Sequence, residues 1–365
     1  MGAFKLVLEP GGIALAFTAG TLLNRRRGCF PREDDDPASR APLLSTTVRS
    51  VSPSPSASPS PPPKGRCPDT ARFRGNLSSR FLARFPFLIE IWYWNLTYWV
   101  YQLARALTAT LIRDNDAVFA LARAHALSLL ALEQRMGIAI ELPLQQYVLH
   151  HLPGLMPLLA KIYYSHILIG VLFLIYTYTY LAPPTYQRIR RTLALDNAIA
   201  FLVLSAWRCA PPRLLPKQYA FVDVLHSAHA GASWSQNKFQ LTIAAMPSLH
   251  FGTSLFLAVC LVRFSPHRPL RLLAPLWPAA MLLTVLATAN HFVLDAVVGA
   301  AIPAIGWRFN RVLLVLRPLE EWGFWVLRTE KPDPCRGWGD VRGGARGVGK
   351  GVGEGEAVKA AEWLV

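Results

Sequence analysis

The stretch MPSLHFGTSLFLAVCLV (residues 246–262) decides the fold of this chain, because His250 opens an apolar run long enough to form a helix. The chain then crosses a basic stretch and returns as LLAPLWPAAMLLTVLATAN (272–290). The segment NHFVLD (290–295) follows at once, supplies a second histidine and a carboxylate, and begins another apolar run. If these runs cross a bilayer, both histidines emerge on the same side of the membrane.

The composition agrees with a membrane protein that spans the bilayer several times. The 365 residues are 52% hydrophobic and only 16% charged, and the mean hydropathy is +0.28. These values are too apolar for an ordinary soluble domain. We therefore predict an all-α bundle of about six transmembrane helices. The predicted spans lie near residues 87–111, 159–182, 195–210, 248–263, 272–289 and 291–315.

The net charge is +16, and its basic residues are concentrated at the ends of the predicted spans. The sequence shows no basic face with interleaved aromatic residues, so the charge does not indicate a nucleic-acid surface. Arginines cluster at one set of span ends, which the positive-inside rule makes cytosolic. The loops at 113–141 and 212–247 then face the lumen or the outside, and Arg213 lies on that side with the two histidines. The cytosolic cluster comprises Arg188, Arg190, Arg191, Arg263, Arg268, Arg271, Arg308, Arg311 and Arg317.

We divide the chain into an N-terminal segment (1–84), a membrane domain (85–318) and a Gly-rich cytosolic tail (319–365). Residues 4–23 are read either as an anchor or extra span, or as an interfacial segment. The run VSPSPSASPSPPP at 51–63 cannot bury a core, which predicts a flexible linker. The Ala- and Leu-rich stretch at 116–142 predicts a helix on the lumenal interface that ends near Pro143.

The polar residues at the lumenal span ends suit phosphoryl transfer without a metal. Arg213 matches phosphate oxygens bidentately, and Ser248 can add a hydrogen-bond donor. An unprotonated nitrogen of His291 can attack phosphorus while Asp295, four residues on, holds the other ring N–H. His250 then remains as the general acid at the start of a span, where an anion is also favoured.

These motifs resemble those of the phosphatidic acid phosphatase type 2 superfamily. Met-Pro-Ser-Leu-His (246–250) and Asn-His-x-x-x-Asp (290–295) are similar to its second and third motifs. Ala-Pro-Pro-Arg-Leu-Leu-Pro (210–216) is similar to the first motif of the fungal and bacterial branch that includes the inositol phosphorylceramide synthases. Further residues similar to that branch are Glu133, Gly137, Glu141, Gln145, Tyr163, Tyr164 and His166.

The resemblance implies a function for each of the polar residues named above. His291 becomes the phosphohistidine nucleophile, Asp295 its orienting group, His250 the general acid and Arg213 a phosphate ligand. No cofactor or metal is implied. The implied substrates are a membrane phospholipid and a sphingolipid-type alcohol, and the implied location is an endomembrane, the endoplasmic reticulum or Golgi, with a lumenal site.

The chain also departs from the wider superfamily at three positions. Leu249 replaces a glycine, Ala206 replaces a lysine and Val285 replaces an arginine. The phosphate therefore has fewer obvious cations, and we consider three basic residues as replacements, Arg208, Lys217 and Lys238.

Three functions remain open from the sequence. The motifs suit a phosphoinositol transferase with a lipid alcohol as acceptor or a lipid phosphate phosphatase with water as acceptor. The third possibility is a non-catalytic membrane scaffold or lipid-binding relic of the fold. His250, His291 and Asp295 are also ligand types that suit zinc, although the resemblance implies chemistry that needs no metal.

Overall fold

A computed structural model describes residues 2–26, 68–225 and 242–332, and the regular elements in these ranges are helices. The predicted Pro- and Ser-rich linker at 51–63, most of the Gly-rich tail and Lys238 lie outside the described residues. The helices are α1 Gly2–Leu23, α2 Leu77–Arg84, α3 Phe87–Ile112, α4 Asp116–Met136, α5 Glu141–His151, α6 Leu155–Tyr180, α7 Pro183–Ala206, α8 Leu249–Phe264, α9 Arg268–Leu273, α10 Leu276–Ala287, α11 Val293–Phe309 and α12 Arg317–Val326.

Three stretches among the described residues are long and apolar enough to cross a membrane. They are Leu155–Tyr180, Arg268–Ala287 and Val293–Val326, and shorter apolar helices occupy Pro10–Leu23 and Leu249–Phe264. The all-helical architecture and these apolar helices confirm the predicted fold class of a membrane helix bundle. The other two predicted spans correspond to α3 and α7, which are long enough, at 26 and 24 residues, but carry charged side chains.

Helix α7 begins earlier than the sequence predicts. The predicted span started at residue 195, whereas the helix starts at Pro183, because proline is favoured in the first helical turn. Arginines expected in a loop therefore lie on the helix. Arg190 pairs with Glu90 of α3 at 2.7 Å, and the Arg188 guanidinium lies 4.0 Å from the centre of the Trp307 ring near the end of α11.

The two ends of α7 have opposite character. Arg188 lies near its start and Arg213 follows its end. The helix from Arg188 to Ala206 spans about 27 Å at the helical rise of about 1.5 Å per residue. This length is close to the roughly 30 Å hydrocarbon thickness of a bilayer. The arginine-bearing end of α7 and the end followed by Arg213 are thus separated by about one membrane thickness.

Two glycines bring α8 and α11 into direct backbone contact. A methyl group added at Gly252 would collide with the backbone carbonyl of Gly299, and one added at Gly299 would collide with the carbonyl of Ser248. The backbone N–H of Ser248 also donates to the carbonyl of Asp295 at 3.0 Å. This close approach fixes the segment that carries His250 against the one that follows His291.

The N-terminal helix α1 packs along the bundle. Phe17 is buried in a cluster with Phe87 of α3 and Leu174 of α6, and the Asn24 side chain donates to the Thr179 hydroxyl at 3.0 Å. The described part of α1 therefore packs against α3 and α6.

The predicted single helix over 116–142 is instead two helices, so its predicted end near Pro143 is wrong. Helix α4 stops at Met136, because Gly137 takes the left-handed conformation with φ of +70° and caps the helix through Gln134 and Glu133 carbonyls. Helix α5 then contains Pro143 in its first turn, where a missing N–H costs no hydrogen bond.

Candidate active site

A small cavity of about 90 Å³ lies where the ends of several helices meet. Arg213 follows α7, His250 lies in the first turn of α8, and His291 precedes α11. The structure thus brings these three predicted site residues together from segments far apart in the chain. The polar or aromatic residues that line the cavity are Tyr101, Arg105, Tyr163, Arg213, Thr242, His250, Asn290 and His291.

The His291 ring is held by a backbone carbonyl. Its Nδ1 lies 2.7 Å from the carbonyl oxygen of Ala245. A carbonyl can only accept, so Nδ1 carries a proton, and in the neutral ring Nε2 keeps its lone pair. Ala245 is fixed in turn, because its N–H donates to the Cys209 carbonyl at 3.0 Å. The ring is therefore in the tautomer that a nucleophile at Nε2 requires.

Asp295 lies beside His291 without forming the predicted hydrogen bond to it. Its Oδ2 is 3.7 Å from the His291 Nδ1 and accepts from the backbone N–H of Phe292 at 2.9 Å. The carboxyl group is fully buried, and its Oδ1 has no hydrogen-bond partner among the described residues. The sequence suggested the hydrogen bond from the spacing of four residues, but His291 precedes α11, so a helical i,i+4 geometry does not apply.

His250 is enclosed by aromatic rings from α6. Its ring stacks on Tyr163 at 4.2 Å between centroids and meets the edge of His166 at 4.4 Å. The His250 and His291 rings are 6.1 Å apart. This separation brings both imidazoles within reach of a single small group placed between them.

Arg213 is oriented by two acceptors. Its Nε donates to the Asn290 side-chain oxygen at 3.0 Å, and its Nη1 donates to Asp223 at 3.1 Å. The side chain is only 7% exposed. Its Nη2 makes no hydrogen bond to the described part of the chain, so one edge of the guanidinium remains available to an anion in the cavity.

The segments that carry these residues fall within one recognised family. A sequence profile of the PAP2 superfamily matches residues 127–309, which is half of the chain. The chain belongs to the PAP2 superfamily. Membership indicates a phosphatase or phosphotransferase that acts on phosphate esters, and together with the apolar helices it indicates an integral membrane protein. No significant match was found among curated proteins or among solved structures.

Ser248 has a structural environment that differs from the predicted phosphate contact. It is fully buried, and its hydroxyl caps α8 by accepting from the Phe251 N–H at 3.5 Å. Residues on either side of it, Pro247 and Leu249, line the cavity, whereas Ser248 does not. Serine is a preferred N-cap residue, so the helix start accounts for it.

The PAP2 cavity contains a second cation that the sequence analysis did not name. Arg105 of α3 lines it together with Arg213 and lies 5.6 Å from the centre of the Tyr101 ring. Of the replacements considered, Arg208 and Lys217 do not line the cavity, and Lys238 is outside the described residues. Arg105 precedes the matched PAP2 region, but an arginine inside a predicted span is itself a signal of function.

Proposed function

We propose that the protein is an integral membrane phosphotransferase that acts on lipid phosphate esters through a phosphohistidine at His291. The observation that supports this most strongly is the Ala245 carbonyl, which holds the proton of the neutral His291 ring on Nδ1, in a residue that lines one cavity with His250 and Arg213. A non-catalytic lipid binder has no need of this tautomer. PAP2 membership supplies the reaction class.

The proposed reaction has two halves. In the first, the His291 Nε2 forms a bond to phosphorus, the bond from phosphorus to the leaving oxygen breaks, and His250 donates a proton to that oxygen. In the second, an acceptor hydroxyl gives its proton to His250 and attacks phosphorus, and the phosphorus–nitrogen bond breaks. The Arg213 and Arg105 guanidiniums balance the charge of the non-bridging phosphate oxygens.

Asp295 contributes charge in this scheme. When Nε2 bonds to phosphorus and Nδ1 keeps its proton, the His291 ring becomes cationic. The Asp295 carboxylate, 3.7 Å from Nδ1, stabilises that cation, while the Ala245 carbonyl keeps the ring oriented. Orientation and charge stabilisation are therefore supplied by different groups.

For the substrates, we propose phosphatidylinositol as donor and a sphingolipid-type alcohol as acceptor. Support comes from the residues by which the sequence resembles the synthase branch. Tyr163 and His166 pack on His250, and Glu133 and Glu141 bind the start of α11. We further propose that the cavity end of the bundle faces the lumen of an endomembrane, because the arginine cluster marks the opposite end as cytosolic.

The experiment that tests this proposal supplies membranes containing the protein with two labelled donors. One is phosphatidylinositol with the label in its phosphate, and the other is labelled phosphatidic acid, each with and without a ceramide. Transfer of label from phosphatidylinositol to ceramide is expected. Release of inorganic phosphate from phosphatidic acid, with no transfer to ceramide, would show a lipid phosphate phosphatase and contradict the proposed transferase activity. No loss of label from either donor would contradict both activities.

A further inference from the structure

Three consecutive backbone N–H groups at the start of α11 donate to three different carboxyl groups. Phe292 donates to Asp295 at 2.9 Å, the N–H of residue 293 donates to Glu141 at 2.8 Å, and the N–H of residue 294 donates to Glu133 at 2.7 Å. A helix start usually relies on one capping side chain. Here the N–H groups of the three residues directly after His291 are bound by carboxyl groups from α11 itself, from α5 and from α4.

Helix α5 also holds the other side of the turn that carries His291. Gln145, one helical turn after Glu141, donates to the Ala287 carbonyl at the end of α10 at 3.2 Å. Its amide group also exchanges hydrogen bonds with the backbone of Val222, both at 2.9 Å. The side chains at 141 and 145 therefore bind the chain before and after His291.

The charge of this cluster restricts its protonation. Glu133, Glu141 and Asp295 are buried together, and three full negative charges in one dry site repel each other strongly. The Oε2 atoms of Glu133 and Glu141 are both buried and have no hydrogen-bond partner among the described residues. One proton between the two glutamates satisfies both oxygens and leaves each Oε1 free to accept from α11.

We propose that Glu133 and Glu141 are positioning residues that fix the His291 turn as a carboxyl pair sharing one proton. This inference rests on the proposed function for its catalytic consequence, but the shared proton itself can be tested without activity. Displacing a nucleophile by about 1 Å can cost on the order of 100-fold in rate, so a weaker hold on the first turn of α11 lowers kcat. Neither glutamate lines the cavity, so KM changes little.

The pair should also make the protein sensitive to alkali. Burial, followed by the hydrogen bond to Glu141, raises the pKa of Glu133 to about 8 from its ordinary 4.5. The other titratable groups near it are Asp295 and Cys209. A carboxyl whose pKa is raised on folding stabilises the protein fully below its unfolded pKa, and that stability is lost as the pH rises through the folded pKa. Thermal stability should thus fall as the pH rises from about 4.5 to about 8.

The test compares Glu133→Gln with Glu133→Ala, using Gln134→Ala, an exposed neighbour on α4, as the control. The glutamine keeps an acceptor for α11 and supplies an N–H in place of the shared proton. We expect Glu133→Gln to keep kcat within about tenfold, and Glu133→Ala to lower kcat about 100-fold with KM within about threefold. Wild-type kcat in Glu133→Ala, or equal loss in both variants, would overturn the positioning role.

A second measurement separates this inference from the proposed function. Thermal unfolding in detergent is recorded against pH for the wild type and for Glu133→Gln. The melting temperature of the wild type should fall towards alkaline pH, and that of Glu133→Gln should fall clearly less. This expectation does not depend on whether the protein turns over any lipid. Identical pH profiles for the two proteins would overturn the shared proton, whereas an inactive wild type with the expected profiles would count only against the phosphotransferase.

Discussion

Replacing Asp295 by asparagine separates two roles that its position allows. As a cap for the Phe292 N–H, asparagine serves about as well as aspartate. As the counter-charge to a cationic His291 ring, asparagine is useless. The two roles therefore predict different outcomes for the same substitution.

The structure sets the size of the expected effect. The Asp295 Oδ2 and the His291 Nδ1 are 3.7 Å apart, and two unit charges at this distance interact by about 4 kcal/mol at an effective dielectric constant of about 20. Because about 1.4 kcal/mol corresponds to a tenfold change in rate, Asp295→Asn should slow formation of the phosphoenzyme about 1000-fold. KM should be little changed, since Asp295 does not line the cavity.

The assay is a single turnover with a labelled lipid phosphate, quenched in alkali to preserve phosphohistidine, and the label bound to protein is followed in time. Asp196→Asn is the matched control, because Asp196 is a buried aspartate of α7 that does not line the cavity. If Asp295→Asn labelled the protein within about tenfold of the wild-type rate, the charge argument would be refuted and Asp295 would be only a helix cap.

Three further predictions concern the second cation, the helix contact and the topology. Arg105→Ala should raise the KM for the lipid phosphate at least about tenfold, with Arg105→Lys intermediate, because a charge next to the phosphate is lost; an unchanged KM would remove Arg105 from the site. Gly252→Ala should destabilise the protein by about 1–3 kcal/mol through collision with the α11 backbone, whereas Gly170→Ala, which meets open space, should not; equal melting temperatures would contradict the close contact. In a background without other cysteines, Lys217→Cys and Arg268→Cys should react with an impermeant thiol reagent from opposite faces of sealed vesicles, and labelling from the same face would contradict the topology.

Much of the fold follows from the sequence because it depends on local pattern. Apolar runs of span length become helices, and consecutive spans alternate direction, so residues at alternate ends meet at one face. This reasoning predicts His250, His291 and Arg213 at the same end of the bundle, and all three line the cavity. The predicted helix limits are less accurate where a single residue ends a helix inside a stretch whose composition favours helix. Gly137 is the example, because its left-handed conformation ends α4.

The contacts that tune the site were not predictable in the same way, because they depend on pairings across long separations. The acceptor for His291 is a backbone carbonyl 46 residues away, which no side-chain pattern reveals. Glu133 reaches the start of α11 across 161 residues. Arg105 is visible in the sequence as a charge inside a span, but only the packing of α3 against α7 shows that it reaches the cavity.

The most direct test of the account is to locate the covalent intermediate. The purified protein is incubated with a phosphate-labelled lipid donor, quenched in alkali and digested, and the labelled peptide is sequenced by mass spectrometry. The account predicts label on His291, none on the His291→Ala protein, and label that accumulates when the acceptor is withheld. Label on another residue such as His250, or turnover near the wild-type rate in His291→Ala, would contradict it.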